Sequence, residues 1–320
     1  LEWATVRKLA LKQLNRFMAL EPKVLRGDEP DALHDMRVAS RRLQQILDLI
    51  YPKPRPHTIR GLRKKIQRSR RCLSEVRNCD VLIARVEREL ANKRASRREA
   101  RQALLQFLHE RRTANFEKAL KKLGKINLAV FYVEMRRTLG DVISATPLLP
   151  HPHAAGDAEE LTPALLCRRL AESFSSVWGD FEAKQTLSLD DPQPSAVHGT
   201  RIATKRLRYL LEVVEAFEVA GSRENLAWLR SLQRLLGEWH DLEVLEQTMI
   251  EMVARPDFLR ERLDLAMGVE KLILRNRTGK KKMQEKYFQM VVGSPESARL
   301  KEWVNYLVSS PSEAFGAPAA

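Results

Sequence analysis

The chain has 320 residues, enough to bury a substantial core as one large or two medium units. Its 56 Lys and Arg outnumber 41 Asp and Glu for a net charge of +15, unevenly spread: residues 1–150 carry 34 basic and 16 acidic side chains, residues 151–320 carry 22 and 25. With only 13 Gly, no alternating β-branched runs and no apolar stretch near the ~18 residues of a membrane span, the composition excludes sheet-rich and helical membrane-spanning chains and predicts an all-α fold.

In chain order, apolar periodicity predicts a helix over 3–20, a loop holding Gly27 and Pro30, and a helix over 31–50 that opens on Pro30 with Asp31 as its N-cap. A turn around YPKPRP follows, then helices over 58–77, 79–92, 95–123 and 127–144. Past a Pro- and Ala-rich divider come helices over 163–185 and, after the DDPQPS break, one opening on Pro194 and Ser195. Further helices are expected over 223–237, 239–254 and 257–285. The domain division is 1–146 for a first bundle, 147–162 for a linker, 163–308 for a second bundle and 309–320 for a disordered tail. The amphipathic N-terminus does not read as a secretion signal, and an opening on Leu1 rather than Met fits a chain from which something upstream was removed or left out. Three cysteines do not make a disulfide framework. Cys72 and Cys79, seven apart on a helix, lie about 10 Å apart along the axis, which points to packing roles and a reducing cytoplasm.

A segment occurs twice. PDALHDMRVASR at 30–41 returns 164 positions later as PSAVHGTRIATK at 194–205, and the match over 30–50 against 194–214 holds eight identities. A second pair follows at an offset of 163, LSEVRNCDVL at 73–82 against LGEWHDLEVL at 236–245, which aligns Arg77 with His240 and Asn78 with Asp241. Two matched segments in one order at nearly constant spacing predict a pseudo-twofold pair of helical bundles.

The repeat keeps polar residues as well as apolar ones. On a helix, Leu33, Met36, Ala39, Ser40, Leu43, Ile46, Leu47 and Ile50 share a face and are expected in the core. His34, Arg37 and Arg41 form an adjoining strip continued by Gln44, and His198, Arg201, Lys205 and Arg208 form its second copy. A duplicated fold needs only its apolar positions, so the retained triplets point to a ligand. First-turn imidazoles, arginines one and two turns on, and a positive helix end suit an anion. The densest cationic stretch, Arg60 to Arg71, contains Arg60, Arg63, Lys64, Lys65, Arg68, Arg70 and Arg71 and no acid. Such a field concentrates a polyanion.

Taken together, HDMRVASRRL, HGTRIATKRLRY and the two LSEVRNCDVL-like elements resemble the conserved histidine α-helical domain, or CHAD, family over nearly the whole chain. The resemblance implies two four-helix bundles around a basic central groove or pore that binds inorganic polyphosphate, in members associated with polyphosphate granules. Carried over by position, His34, Arg37, Arg41, Arg42, His198, Arg201, Lys205, Arg206 and Arg208 would line that groove. Arg60, Arg63, Lys64 and Arg70 join them from the basic stretch, Arg77 and His240 from the second element, and Arg234 from just before it. The chain departs from the family pattern at Asn78, where Asp is frequent, at His240, where Arg is, and at Gly199.

Polyphosphate also fits the residues themselves. It has no bases to stack, and the basic stretch has no aromatic residue, whereas single-stranded nucleic acid favours aromatics among its cations. The seven histidines are scattered, with no HExxH, Walker A or cysteine-rich zinc spacing, so no cofactor and no catalytic residue is assigned. The expected function is non-catalytic polyphosphate binding in the cytoplasm, with granule proteins or a triphosphate tunnel enzyme as partners. The alternatives are a nucleic-acid-binding helical protein and a metal-dependent polyphosphatase or triphosphatase accessory.

Overall fold

A computed structural model describes residues 1–92, 96–141 and 161–316. Among these every regular element is a helix: α1 (Trp3–Ala19), α2 (Glu21–Arg26), α3 (Pro30–Ile50), α4 (His57–Cys72), α5 (Ser74–Ala91), α6 (Arg98–Leu123), α7 (Leu128–Asp141), α8 (Pro163–Asp190), α9 (Pro194–Glu215), α10 (Ser222–Val253), α11 (Pro256–Glu261), α12 (Leu263–Val291), α13 (Pro295–Ser309) and α14 (Pro311–Ala314). The fold is all-α. No described helix is long and apolar enough to cross a membrane.

Apolar periodicity sets the packing. All eight core residues expected on α3 are buried, and the basic α4 turns Ile59, Leu62, Ile66 and Ser69 inward at steps of three and four. The main helix pairs are α1 with α3, α5 with α6, α8 with α9, and α10 with both α9 and α12; α3 crosses onto α9. One apolar cluster runs from Trp3 and Phe17 through Phe131 and Phe174 to Leu307 and Phe315. A second joins Leu82, Leu104 and Leu108 to Leu245, Met249 and Val269. Each cluster draws on both sides of the divider, so the sequence boundary between the halves is not a boundary between cores. Residues 147–160 of the expected linker, like 142–144 and 93–95 at neighbouring expected helix ends, lie outside the described residues.

Several elements differ from expectation. The α4–α5 break falls at Leu73 rather than Asn78, with no Gly or Pro to signal it, and Leu73 is buried there. Cys72 and Cys79 therefore sit on different helices; with Cys167 they are free thiols. Glu29 and Gln193, in extended conformation, are the N-caps of α3 and α9, with Pro30 and Pro194 at the first helical turn, so Asp31 and Ser195 lie inside the helices. Gly237 does not divide α10: one interior Gly costs about 1 kcal/mol against Ala, too little to break a helix of 32 residues packed on both neighbours. The stretch after 285 also holds α13, opened by Ser294, whose hydroxyl accepts from Ser297 N–H at 3.2 Å. Trp303 fixes α13 by donating Nε1–H to Ala220 O at 2.7 Å and meeting Phe174 edge-on at 5.9 Å.

The chain beyond α13, expected to be a disordered tail from 309, is structured over 310–316, and residues 317–320 of that expected tail lie outside the described residues. α14 turns it back so that Phe315 enters the main core at 6% exposure. One aromatic anchor explains the order, since burying a Phe supplies about 1.5–3 kcal/mol. Phe315→Ala should lower the free energy of unfolding by about 3 kcal/mol in chemical denaturation; a change under about 0.5 kcal/mol would return this segment to the status of a tail.

Candidate polyanion site

The crossing of α3 on α9 brings the two polar strips together. Burial lowers the basicity of His34, helped by Arg77 and Arg41 from its own half and Lys205 from the other. Arg37 is likewise pushed down to about 9, first by burial and then by Arg41, Arg70, Arg77 and Arg201. Lys205 is depressed well below the ordinary lysine value by burial, Arg201, Arg41 and Arg37. These mutual influences place His34, Arg37, Arg41, Arg70, Arg77, His198, Arg201, Lys205 and His240 in one cluster drawn from α3, α4, α5, α9 and α10. His34 lies at its exposed rim, and the other eight are partly covered.

Second contacts hold the strips. Arg37 donates Nη1–H to Ser74 Oγ at 2.8 Å and to Arg70 O, tying α3 to the end of α4 and the start of α5. Arg70, lowered to about 10 by burial and by Arg41, donates both Nη groups to Gln44 Oε1 at 3.1 and 3.0 Å. The equivalent pair in the second half is reversed: Arg208, at the position of Gln44, donates Nε–H to Gln233, at the position of Arg70, at 2.6 Å. Ser74 corresponds to Gly237, which has no hydroxyl, and Arg201 Nε is buried without a hydrogen-bond partner. A buried donor left unmade costs about 1–3 kcal/mol, so Arg201 is held ready for an acceptor.

Histidines mark the second half of the cluster. His198 and His240 stand with ring centroids 4.9 Å apart at a 38° tilt. Burial, Arg201 and Lys205 lower His198, while burial, Arg201, His198 and Lys205 push His240 down to about 3. Beside them Asp241 is raised above the ordinary aspartate value by burial, against the pull of Arg201, Lys205, Arg85 and Arg77. Asp241 is thus the carboxylate that the Arg77 side of the site lacks at Asn78, supplied by the other half. It also lines a cleft of about 640 Å³ with Arg85, Arg88 and Arg101.

Not every expected residue is available to a ligand. Arg42 is gripped by both oxygens of Glu212, at 2.7 and 3.0 Å, which joins α3 to α9, and Arg208 pairs with the same carboxylate on its own helix, so both are committed. Arg206 points away to Asp180 on α8 at 2.9 Å, outside the cluster. Arg63 is held by Asp48 at 2.6 Å, yet still acts on Arg70. Arg60 and Lys64 face a separate basic cleft of about 650 Å³ that they share with Lys53, Arg55 and Arg63. Arg234 is exposed, two turns along α10 from Asp241. Asp241 and Arg85 were not foreseen; the alignment of Asp241 with Asn78 was the available signal, whereas Arg85 has none outside the fold. Among the described residues no three His, Cys, Asp or Glu side chains are grouped to hold a metal.

The chain is similar to two solved structures over most of its length. A CHAD domain from the plant Ricinus communis aligns with TM-score 0.64 at 21% identity, over 90% of each chain. PptA from Streptomyces chartreusis aligns with TM-score 0.60 at 17% identity, over 90% of this chain and 98% of that one. No curated protein matches the sequence. The model of the CHAD domain family matches residues 8–249, from within α1 to near the end of α10 and across the whole cation cluster, and the chain belongs to that family.

Proposed function

We propose that this protein binds inorganic polyphosphate, without catalysis, in the cluster formed where α3 crosses α9. The observation that carries this reading is the convergence of five arginines and one lysine, Arg37, Arg41, Arg70, Arg77, Arg201 and Lys205, around one carboxylate, with a buried guanidinium N–H still lacking an acceptor. Like charges held this close oppose folding and gain from an anion that sits among them. A linear polymer with one negative charge per unit and no base matches a site of forked guanidiniums and point-charge ammonium without stacking platforms. Tyr209, which bears on Arg201 and Arg70, is 4% exposed, and Trp239, beside His240, is 6% exposed, both too buried to stack a base. Family membership supports the same ligand class. In the cell the site would serve granule association in the cytoplasm or hand the polymer to a partner such as a triphosphate tunnel enzyme.

Arg37→Ala combined with Arg201→Ala should weaken polyphosphate binding by on the order of 100-fold, since each change removes charge-assisted hydrogen bonds worth about 1.5–3 kcal/mol. The slope of affinity against salt should also become shallower. Circular dichroism should report unchanged helix, and Arg299→Ala, an exposed cation on α13, should leave affinity within about twofold. Equal losses in the two variants would reduce the interaction to diffuse attraction. In competition, polyphosphate should displace bound polymer at far lower phosphate concentration than RNA or DNA of matched length; the reverse order would favour the nucleic-acid reading. Shortening of the polymer with Mg²⁺ or Mn²⁺, lost on substituting a carboxylate, would replace binding with hydrolysis.

Gly237 gives a finer test. A Cβ there meets no atom within 4 Å, so the position accepts a side chain. Gly237→Ala should stabilise α10 by up to about 1 kcal/mol and leave binding unchanged. Gly237→Ser would offer Arg201 the hydroxyl that Ser74 offers Arg37, and should bind polyphosphate several-fold more weakly than Gly237→Ala. Equal affinities would mean that a hydroxyl at 237 does not compete with the ligand for the Arg201 guanidinium.

A further inference from the structure

The two halves of the cluster differ in one chemical respect. At equivalent positions of the second repeated element the first half has Arg77, a permanent cation, and the second half has His240, which is charged only when protonated. His240 lies against His198, and their rings are close enough for one phosphate group to accept a hydrogen bond from each. We propose that His198 and His240 form a protonation-dependent phosphate clamp, so that the site takes up protons together with polyphosphate and holds the polymer more tightly as pH falls. The proposal rests on the polyphosphate reading above and concerns how that same site is regulated.

The charged groups around the pair come from several elements. From α9, Arg201 and Lys205 bear on both rings. From α3, Arg37 and Arg41 act on Lys205, and Arg41 also on Arg201. From α5, Arg77 and Arg85 act on Asp241, the acidic neighbour of His240 on α10. From α12, Arg275 lines the cleft that holds Asp241, whereas Lys280 is committed to Glu243 and Glu246, and Arg111 of α6 to Glu251. From α8, the Lys184 side chain packs against Gly199, next to His198. Without a ligand, burial and these cations therefore keep both imidazoles neutral at pH 7. A row of phosphates reverses the sign of the field, and the doubly protonated pair becomes the favoured state.

The linkage has a definite sign. The bound complex holds more protons than the separated components, so affinity rises as pH falls, by about tenfold per pH unit for each proton taken up. The free protein behaves oppositely. Its folded imidazoles bind protons less tightly than those of the unfolded chain, whose pKa is about 6.5, so the free protein loses stability as pH falls below that value. Polyphosphate should remove part of that loss. Terminal phosphates, which titrate near pH ~6, would work against the effect, so a long chain dominated by internal groups is the appropriate probe.

Binding of long-chain polyphosphate at pH 5.5, 6.5 and 7.5 and constant salt tests the clamp, with proton uptake measured by calorimetry in two buffers of different ionisation heat. Wild type should take up protons and tighten towards pH 5.5. His240→Arg, which copies the first half, should bind more tightly than wild type at pH 7.5 and show a shallower slope. His198→Gln with His240→Gln should also be shallower but weaker throughout, and it decides the matter if the arginine is not accommodated. A residual slope from His34 is expected in both. No proton uptake by wild type, or the wild-type slope retained in the double glutamine variant, overturns the clamp while leaving polyphosphate binding intact. Absence of binding at every pH overturns the ligand itself.

Discussion

The structure depends on the apolar crossing of α3 and α9, which holds like charges together against their own repulsion. Each helix places one face in the shared core and its polar strip at the crossing. Solvation would normally separate such charges, and their depressed basicity follows from the fold's holding them together. The cations are therefore ordered before any ligand arrives. A pre-ordered site avoids the entropic cost of gathering long side chains at the moment of binding, a gain of about 0.5–1.5 kcal/mol for each one.

Around the crossing, neutralised pairs form a frame. Glu212 holds Arg42 and Arg208, and Asp48, at the equivalent position on α3, holds Arg63 and Arg55. Farther out, Asp80 pairs with Arg112 at 2.6 Å between α5 and α6, and Glu243, its counterpart, pairs with Lys280 between α10 and α12. Around this crossing, cations with a carboxylate partner brace helices, and the members of the cluster face each other. That distinction, rather than the amount of basic charge, separates scaffold from site.

Much of this was readable in the residues. Helical periodicity located eight core residues of α3, missing the buried Ala32, Gln45 and Leu49, and the repeated His-x-x-Arg strips named most of the cluster, because both follow from local geometry along one helix. Which arginines were free was not readable. Arg42 and Arg37 look alike in sequence, and only tertiary contact brings Glu212 to one and leaves the other among cations. The same limit explains Arg206, drawn off by Asp180 on α8, and Asp241, whose importance arises from the half opposite Arg77. The break at Leu73 and the order around Phe315 were hidden for a related reason: burial against distant helices decides them, with no turn residue to announce it.

The reversed pair, Arg70 on Gln44 and Arg208 on Gln233, bears on how such a chain can change over generations. Replacing one member with the residue found at the matching place in the other copy would set two guanidiniums, or two amides, face to face. Drift at these four positions is consequently concerted, with donor and acceptor exchanging places together or not at all. Glu212 extends the coupling, since any substitution there is felt at once by Arg208 four residues away and by Arg42 on the far side of the repeat. Two copies that began alike would in this way become complementary rather than interchangeable, each carrying counterparts that the other has lost.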